Sequence, residues 1–298
     1  MSEKFMNTAE IAEYLDVNEK KVYLLVRDAA LPATKATGKW LFPRELVDNW
    51  LLQSTVSVQS SISAKKDVFL IAGSNDPILE SGVSSLSVRA SESLIYFARV
   101  GSFSGLKALE KGDAHAAAAH LFDPTTGEYN LPFLDRKTRR NILIFPFALR
   151  EQGLLVRKGN PFGIAGIEDL IFPGIRFVNR KKGTGTRALF DLLLTKAGLT
   201  TSQIVGYTRE VGTHIEVATT ISRGKADAGL GIRSAAKMFG LGFVPLRKER
   251  FDILVRKEAT QMRSFQILLE DLKSARFKKV LAEAGGYETQ PPGPIPAY

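Results

Sequence analysis

The stretch FVNRKKGTGTRALFDLLL, residues 177–194, decides the fold class of this chain. Residues 175–178 predict a strand, residues 179–186 a Gly-bearing turn, and the leucines after it the apolar side of a helix. The first N–H groups of such a helix lack partners, and its dipole favours negative charge. The stretch therefore predicts an α/β unit with an anion site at the helix start. The alternative is an ordinary loop with two solvated arginines.

The side chains of this turn suit an anion. Glycines let the backbone approach a ligand, hydroxyls donate hydrogen bonds and guanidinium groups supply forked cations. These residues are Gly183, Gly185, Thr184, Thr186, Arg180 and Arg187. A phosphate-loop motif GxxxxGK[ST] is absent here.

Composition limits the function classes. A chain of 298 residues has room for two or three domains, and the absence of cysteine excludes disulfides and thiolate chemistry. Neither a secretory signal nor an apolar run of about 18 residues is present, so we expect a cytoplasmic protein with no membrane partner. The net charge is +10, but residues 1–66 hold nine Lys or Arg against eight Asp or Glu. Total charge therefore does not locate a nucleic-acid site.

The rest of the chain alternates strands with helices, which predicts largely parallel sheets. The predicted strands are 68–72, 114–121, 145–156, 226–232, 243–246 and 251–255. The predicted helices are the segment after Pro77, 105–111, 215–222 and one or two helices in 260–284.

Residues 7–53 predict helix, tight turn, helix, wing and helix, which is a winged helix-turn-helix pattern. Thr8 and Asn18 are predicted to cap the first two helices, and a hairpin is expected near Thr37 and Gly38. Pro43 is predicted to open the last helix, with its apolar residues buried: Leu46, Val47, Trp50 and Leu51. The Ser-rich residues 54–66 predict a linker.

The second helix and the wing carry candidate DNA contacts, because a recognition helix reads bases at its N-terminus and basic residues hold phosphates. The candidates are Asn18, Lys20, Lys21, Tyr23, Arg27, Lys35, Lys39 and Arg44. A small module that binds protein is the alternative. The run TAEIAEYLDVNEKKVY followed by LPATKATGKWLFPRELVDNWL resembles the excisionase-like branch of the MerR-type winged helix family over residues 6–52. That resemblance implies DNA binding as a dimer or a higher assembly.

Residues 67–285 resemble the substrate-binding proteins of tungstate and molybdate transporters, and in particular their cytoplasmic form attached to DNA-binding domains. The motifs are IAGSNDPILESGVSSL, GSFSGLKALEKGDAHAAAAHLFDP, FVNRKKGTGTRALFDLLL and VGTHIEVATTISRGKADAGLGIRSAA. The resemblance implies a two-lobed periplasmic-binding-protein-like domain of type II with two hinge strands. The expected organisation is a DNA-binding domain at 1–53, a linker at 54–66 and a ligand domain at 67–298. Lobe 1 is expected at about 67–147 and 248–298, and lobe 2 at about 148–247.

The candidate ligand contacts lie where strands hand over to helices. They are Ser74, Asn75, Ser102, Ser104, His120, Arg180, Gly183, Thr184, Gly185, Thr186, Thr213 and His214. The resemblance implies a tungstate or molybdate oxyanion. Asp76 would repel an anion unless it points away, and the less specialised first loop also suits a larger organic or pterin-type anion. The spacing of the histidines predicts no metal cation site, and His115 is expected to have a structural partner.

These features predict a transcription regulator that binds a DNA operator and a small anionic ligand, as a homodimer or higher homo-oligomer and without a cofactor. Lobe closure around the ligand would alter DNA binding. GxSxG, GxGxxG after a strand and other catalytic patterns are absent, so no enzyme is predicted. The alternatives are a sensor of a larger anion, an enzyme acting on such a ligand, and a ligand store whose winged helix does not read DNA.

Overall fold

The computed structural model describes residues 5–28, 31–54, 67–89, 93–290 and 293–296. The chain divides into two compact units, Met1–Lys65 and Lys66–Tyr298, which are described separately. Apart from Ser54, the predicted linker lies outside the described residues. No helix in the described part of the chain is long and apolar enough to cross a membrane.

The first unit is a winged helix-turn-helix. Its elements are β1 (Phe5–Met6), α1 (Thr8–Tyr14), α2 (Glu19–Arg27), β2 (Phe42–Pro43) and α3 (Arg44–Ser54). β1 pairs antiparallel with β2, and an isolated bridge between Thr34 and Leu41 closes the wing. Asn18 caps α2 as predicted. The predicted cap of α1 is wrong by one residue, because Asn7 rather than Thr8 accepts the first helical N–H groups and forms a capping box with Glu10.

The small core of this unit corrects the prediction for the last helix. Val47 is fully buried, whereas the exposed fractions of Leu46 and Leu51 are 52% and 37%. Trp50 is partly buried against the core. Pro43 lies in β2 and directly precedes the helix, which starts at Arg44 as predicted. α3 packs through one narrow face, so only residues in register with Val47 reach the core.

The second unit is built on one ten-stranded sheet. Eight of its strands run in the order β4-β3-β5-β10-β6-β9-β7-β8, and β11 and β12 pair with β6. The bounds are β3 (Asp67–Gly73), β4 (Ser93–Arg99), β5 (Ala116–Ala119), β6 (Ile142–Val156), β7 (Phe177–Arg180), β8 (Glu210–Val211), β9 (Ala228–Ile232), β10 (Gly242–Arg256), β11 (Tyr287–Thr289) and β12 (Ile295–Pro296).

Two long antiparallel strands, β6 and β10, join two lobes. β10 pairs with β5 of lobe 1, which also contains the parallel strands β3 and β4. β6 pairs with β9 of lobe 2, which also contains β7 and β8. The predicted strands 243–246 and 251–255 are one continuous strand of 15 residues. The pairing of β10 with β6 continues through two register shifts, beside Pro245 and Phe251. These shifts interrupt the alternation of apolar and polar residues, so the sequence reads as two strands.

Eight helices among the described residues cover the two lobes. They are α4 (Pro77–Arg89), α5 (Ser102–Lys111), α6 (Arg136–Arg140), α7 (Gly185–Lys196), α8 (His214–Ser222), α9 (Arg233–Met238), α10 (Arg263–Lys273) and α11 (Ala275–Ala284). Aromatic side chains fill both cores: Phe69 packs on Phe265 in lobe 1, and Phe177 stacks on Phe190 in lobe 2 at 4.5 Å between ring centroids. α4, α5, α7 and α8 all begin just after strands, which brings their N-termini to the cleft between the lobes.

Candidate functional site

The starts of α5 and α7, from opposite lobes, meet in the cleft. Gly101 precedes α5 with φ of 83°, and a Cβ there would lie 3.0 Å from the carbonyl oxygen of Gly183. Gly185 begins α7, and a Cβ there would lie 2.7 Å from the ring of His120 in lobe 1. Two glycines therefore permit the close approach of the lobes.

A chain of buried hydrogen bonds crosses the floor of the cleft. Ser74 Oγ lies 2.9 Å from His120 Nε2, and His120 Nδ1 lies 2.7 Å from Glu249 Oε2. Arg150 donates from Nε to Glu249 Oε1 at 2.5 Å and from Nη1 to Asp76 Oδ2 at 2.8 Å. All five side chains are buried. The chain fixes each group in one orientation.

The protonation states of the residues in this hydrogen-bond chain follow from their contacts. Burial lowers the pKa of His120, so the imidazole is neutral at pH 7. Burial alone would raise the pKa of Glu249, but the charge that His120 carries when it is protonated in acid, together with the charge of Arg150, outweighs burial and lowers the pKa to about 2. Glu249 is therefore a carboxylate that accepts the Nδ1 proton of His120. His120 Nε2 is then left to accept the hydroxyl proton of Ser74.

Both carboxylate oxygens of Asp76 are engaged by other groups of the protein. Its Oδ1 accepts the backbone N–H groups of Ile78 and Leu79 at the start of α4. Its Oδ2 accepts from Arg150 and, at 2.8 Å, from the hydroxyl of Tyr287. Both oxygens are thus compensated. The negative charge of Asp76 is therefore offset by Arg150 and by hydrogen-bond donors, which reduces its repulsion of an anion in the cleft.

Arg180 is a buried cation with donors to spare. Its Nη2 donates to the carbonyl oxygen of Gly212 at 2.8 Å, while Nε and Nη1 have no partner among the described residues. Burial, with the charge of Arg150, lowers its pKa to about 9, so it remains charged at pH 7. A buried guanidinium without a counter-charge is costly, which marks it as a group awaiting an anion.

Other buried polar atoms of the cleft also lack partners among the described residues. They are Ser102 Oγ, Arg150 Nη2, Gln152 Oε1 and both ring nitrogens of His214. Burial, followed by the charges of Arg180 and Arg150, lowers the pKa of His214 well below its ordinary value. His214 is therefore neutral and offers one N–H donor. Donors dominate this set, as an anion requires.

Most of the predicted ligand residues are buried around this cleft. They are Ser74, Asn75, Ser102, His120, Arg180, Thr184, Gly185, Thr186 and His214. The N–H of His214 donates to Asn75 Oδ1 at 3.2 Å, which links the two lobes.

Some predicted ligand residues, and His115, lie differently from the rest. Ser104 and Gly183 are exposed. The Thr213 hydroxyl caps α8 by accepting from the Glu216 N–H. The Thr184 hydroxyl, although buried, caps α7 and donates to Lys181, so it is already engaged. His115 has the structural partner expected of it, the N–H of Leu70 at 3.0 Å.

Three central residues were missed by the sequence prediction. Arg150, Gln152 and Glu249 lie within the hinge strands rather than at strand ends. The signal that could have found them is a run of polar residues inside an apolar strand, as in FALREQGLLV. Among the described residues, no group of histidines and carboxylates could hold a metal ion.

A cavity of about 250 Å³ opens beside His120, Gly185 and Glu249. Its other walls are mostly apolar and aromatic: Phe103, Leu121, Phe122, Pro124, Tyr129, Phe133, Ala188, Leu189 and Leu192, with Asp123 and Arg247. The Arg247 guanidinium lies 3.7 Å from the ring centroid of Phe122. Both lobes and a hinge strand line this cavity, so lobe closure shapes it.

The candidate DNA contacts are all exposed in the first unit: Asn18, Lys20, Lys21, Tyr23, Arg27, Lys35, Lys39 and Arg44. The Asn18 side chain accepts the N–H of Lys21, so it is engaged as a cap. Lys35 and Arg44 lie over the rings of Trp40 and Tyr14, at 5.5 and 4.9 Å. Val22 anchors α2 in the core, which turns its lysines outward.

Comparisons with known proteins agree with this architecture. The helix-turn-helix domain family matches residues 5–55, and the PBP superfamily domain matches residues 83–273. The uncharacterised protein YvgK of Bacillus subtilis (strain 168) is 31% identical over 304 residues, covering 96% of each chain.

Solved structures share the fold at low identity. A putative phosphate transporter substrate-binding protein from Clostridium perfringens has a TM-score of 0.55 and 14% identity, covering 75% of this chain and 100% of its own. A tungstate transporter protein from Geobacter sulfurreducens has a TM-score of 0.50 and 15% identity, covering 72% and 98%. An OxyR mutant from Corynebacterium glutamicum has a TM-score of 0.53 and 13% identity, covering 93% and 90%.

The two domains together support a ligand-responsive DNA-binding regulator. The PBP superfamily match spans well over half of the chain, and YvgK matches nearly its full length. The chain belongs to the PBP superfamily, as a member with an excisionase-like helix-turn-helix domain at its N-terminus.

Proposed function

We propose that this protein is a cytoplasmic transcription regulator that senses a small oxyanion, tungstate or molybdate, in the cleft between its lobes. The observation that carries the proposal is Arg180, which is buried and charged yet leaves two donor nitrogens without a partner. Ser102, Arg150 and His214 supply further unpartnered donors. A tetrahedral oxyanion accepts hydrogen bonds from several directions, so it can satisfy such a set at once.

Charge and dipoles support the same ligand class. Asp76 and Glu249 already compensate Arg150, whereas no carboxylate in the described part of the chain forms an ion pair with Arg180. The starts of α5 and α7 add backbone donors and favourable dipoles. The choice of tungstate or molybdate rests on the resemblance of the loop sequences to binders of those anions.

A larger organic anion, such as a pterin-type molecule, is the second candidate. The aromatic cavity beside His120 is the observation in its favour, since Phe122, Tyr129 and Arg247 would suit a flat ring. With such a ligand, its acidic group would bind at Arg180 and its ring would fill the cavity.

A thermal-shift screen tests the ligand. Purified protein is heated with tungstate, molybdate, sulfate, phosphate and a panel of aromatic carboxylates and pterins. We expect tungstate or molybdate to raise the unfolding temperature, because a ligand at 100 times its Kd stabilises the folded state by about 2.7 kcal/mol. A shift with the organic anions alone would favour the second candidate. No shift with any of them would contradict the proposed sensor.

Lobe closure is the proposed link to DNA. Ligand binding would favour the closed lobes and change DNA binding in a homodimer or higher oligomer. Linkage requires that DNA change the ligand affinity by the same factor. Titrating tungstate in the presence and absence of operator DNA measures that factor, and equal affinities would contradict the coupling.

Replacing Gly185 with alanine should weaken binding through lobe closure alone. The new Cβ would collide with the His120 ring, at 2.7 Å, and hold the lobes apart. Overpacking of this kind costs about 1–3 kcal/mol, so we expect roughly a 5- to 150-fold higher Kd for tungstate by calorimetry. Gly293→Ala is the control, because a Cβ there meets nothing within 4 Å. Equal affinities of the Gly185 variant and wild type would contradict the closed-lobe site.

Replacing Lys21 with alanine should lower DNA affinity for all sequences and reduce the salt slope by about one counterion. Lys21 is exposed on the first turn of α2, where it can reach a phosphate. Fluorescence anisotropy across a salt series measures both quantities. Lys107→Ala, in the ligand unit, is the matched control. A salt slope equal to that of wild type would remove Lys21 from the interface.

A further inference from the structure

Three residues of the buried hydrogen-bond chain place a hydroxyl, an imidazole and a carboxylate next to one another in that order. Ser74 Oγ lies 2.9 Å from His120 Nε2, and His120 Nδ1 lies 2.7 Å from Glu249 Oε2. The carboxylate holds the imidazole in the tautomer whose Nε2 can take a proton from the serine. This is the arrangement by which a serine is activated as a nucleophile.

Hydrogen bonds and packing contacts hold each of these three side chains in place. Ser74 follows β3, and its backbone N–H donates to Ala118 in the neighbouring strand. The His120 ring stacks on Phe251, with 5.6 Å between ring centroids. Arg150 orients Glu249 by donating a hydrogen bond from Nε to its Oε1. A base held by packing and hydrogen bonds on rigid strands is pre-organised for proton transfer.

Donors for a developing negative charge are present in the same cleft. Ser102 Oγ, Arg150 Nη2 and the Nε and Nη1 atoms of Arg180 have no partner among the described residues. Arg150 and His120 both bind the carboxylate of Glu249, which places this arginine near the base. Donors fixed in advance in a buried site are the main source of stabilisation for an oxyanion.

The adjoining cavity indicates the substrate class. His120 and Glu249 line it together with Phe103, Phe122 and Tyr129. Its volume of about 250 Å³ exceeds the roughly 150 Å³ of an apolar cavity that accepts benzene. An aryl group therefore fits there, beside the imidazole that would protonate it on departure.

We propose that Ser74, His120 and Glu249 form a catalytic triad that hydrolyses aryl esters of short carboxylic acids. Ser74 Oγ attacks the ester carbonyl carbon while His120 Nε2 takes the hydroxyl proton. The bond to the aryloxide oxygen then breaks, and His120 returns the proton to that oxygen. Water, deprotonated by His120, then attacks the acyl carbon, the bond from that carbon to Ser74 Oγ breaks, and His120 returns the proton to Oγ, which releases the carboxylic acid and free Ser74. Glu249 stays ionised throughout. This activity does not depend on oxyanion sensing.

The first test uses the wild-type full chain and diisopropyl fluorophosphate. Ser74 Oγ would displace fluoride from phosphorus, leaving one diisopropylphosphoryl group per chain. We expect tandem mass spectrometry to place the adduct on Ser74. Ser74→Ala should lose it, whereas Ser202→Ala, which removes an exposed serine of lobe 2, should keep it. No adduct, or an adduct on other residues only, would overturn the triad.

The second test measures hydrolysis of 1-naphthyl acetate. His120→Ala should lower the rate by about 10²- to 10⁴-fold, as expected for loss of a general base. Burial lowers the pKa of His120 below its ordinary value of 6.5, so the wild-type rate should hold steady below pH 6.5 before it falls. Equal rates for wild type and Ser74→Ala would identify the hydrolysis as background and overturn the proposal. Tungstate binding, measured alongside, tests the sensor separately.

Discussion

Replacing Arg180 with alanine should nearly abolish oxyanion binding and, without ligand, stabilise the ligand unit. The free energy of binding should fall by about 2–5 kcal/mol, a rise in Kd of roughly 30- to 5,000-fold, because the variant removes a buried cation opposite the anion. No carboxylate of the described residues forms an ion pair with this cation in the free protein. Its pKa is lowered to about 9 from 12.5, so the charged form opposes folding at neutral pH.

Arg180→Ala should weaken tungstate binding but raise the stability of the free protein. Because these two effects have opposite signs, general damage to the fold cannot produce both. Calorimetry with tungstate measures the affinity, and thermal unfolding without ligand measures the stability. Arg209→Ala is the matched control, because Arg209 is exposed on the same lobe and its Nη1 donates only to the carbonyl oxygen of Lys225. DNA binding without ligand should be unchanged in both variants. An unchanged tungstate affinity in Arg180→Ala would remove Arg180 from the site.

The local unit around Arg180 was predictable because its signals are local. The strand, the Gly turn and the helix lie within about 20 consecutive residues, and each follows from periodicity and turn chemistry. Asn18 as the cap of α2 follows in the same way. The cap of α1 was misplaced because Asn7 and Thr8 are adjacent, and both residue types can cap a helix.

The buried chain of the cleft was not predictable from the same signals. Ser74 and His120 are 46 residues apart, and His120 and Glu249 are 129 apart. They come together because β5 pairs with β3 on one side and with β10 on the other. A search for catalytic or binding motifs of fixed spacing misses such a set, because its geometry depends on strand order.

Burial within the last helix shows a second limit. The periodicity places Leu46, Val47 and Leu51 on broadly one side of α3, yet only Val47 is buried. The apolar stripe is wider than the contact that the small core offers. Whether an apolar residue of a helix is buried depends on which elements pack against that helix, and a single sequence does not reveal that packing.

Replacing Arg150 with alanine should destabilise the ligand unit by about 3–5 kcal/mol, because it leaves two buried carboxylates without their cation. Arg150 contacts Asp76 and Glu249, and its guanidinium lies 4.2 Å from the ring centroid of Phe251. Urea denaturation at pH 7 measures the loss. Lys248→Ala is the control on the neighbouring hinge strand β10, where an exposed pair with Glu288 should contribute far less.

The pH dependence of the loss separates charge from packing. In wild type the pKa of Glu249 is lowered from 4.5 to about 2, so its stabilisation is fully present above 4.5 and is lost as pH falls through about 2. Without Arg150, one of the charges that oppose the effect of burial is lost, so the pKa of Glu249 should be higher than in wild type and its carboxylate should take up a proton at a higher pH. The difference in free energy of unfolding should therefore be largest at pH 7 and become smaller as pH falls from neutral toward about 3. A difference that stays constant over this range would assign the loss to packing on Phe251 instead.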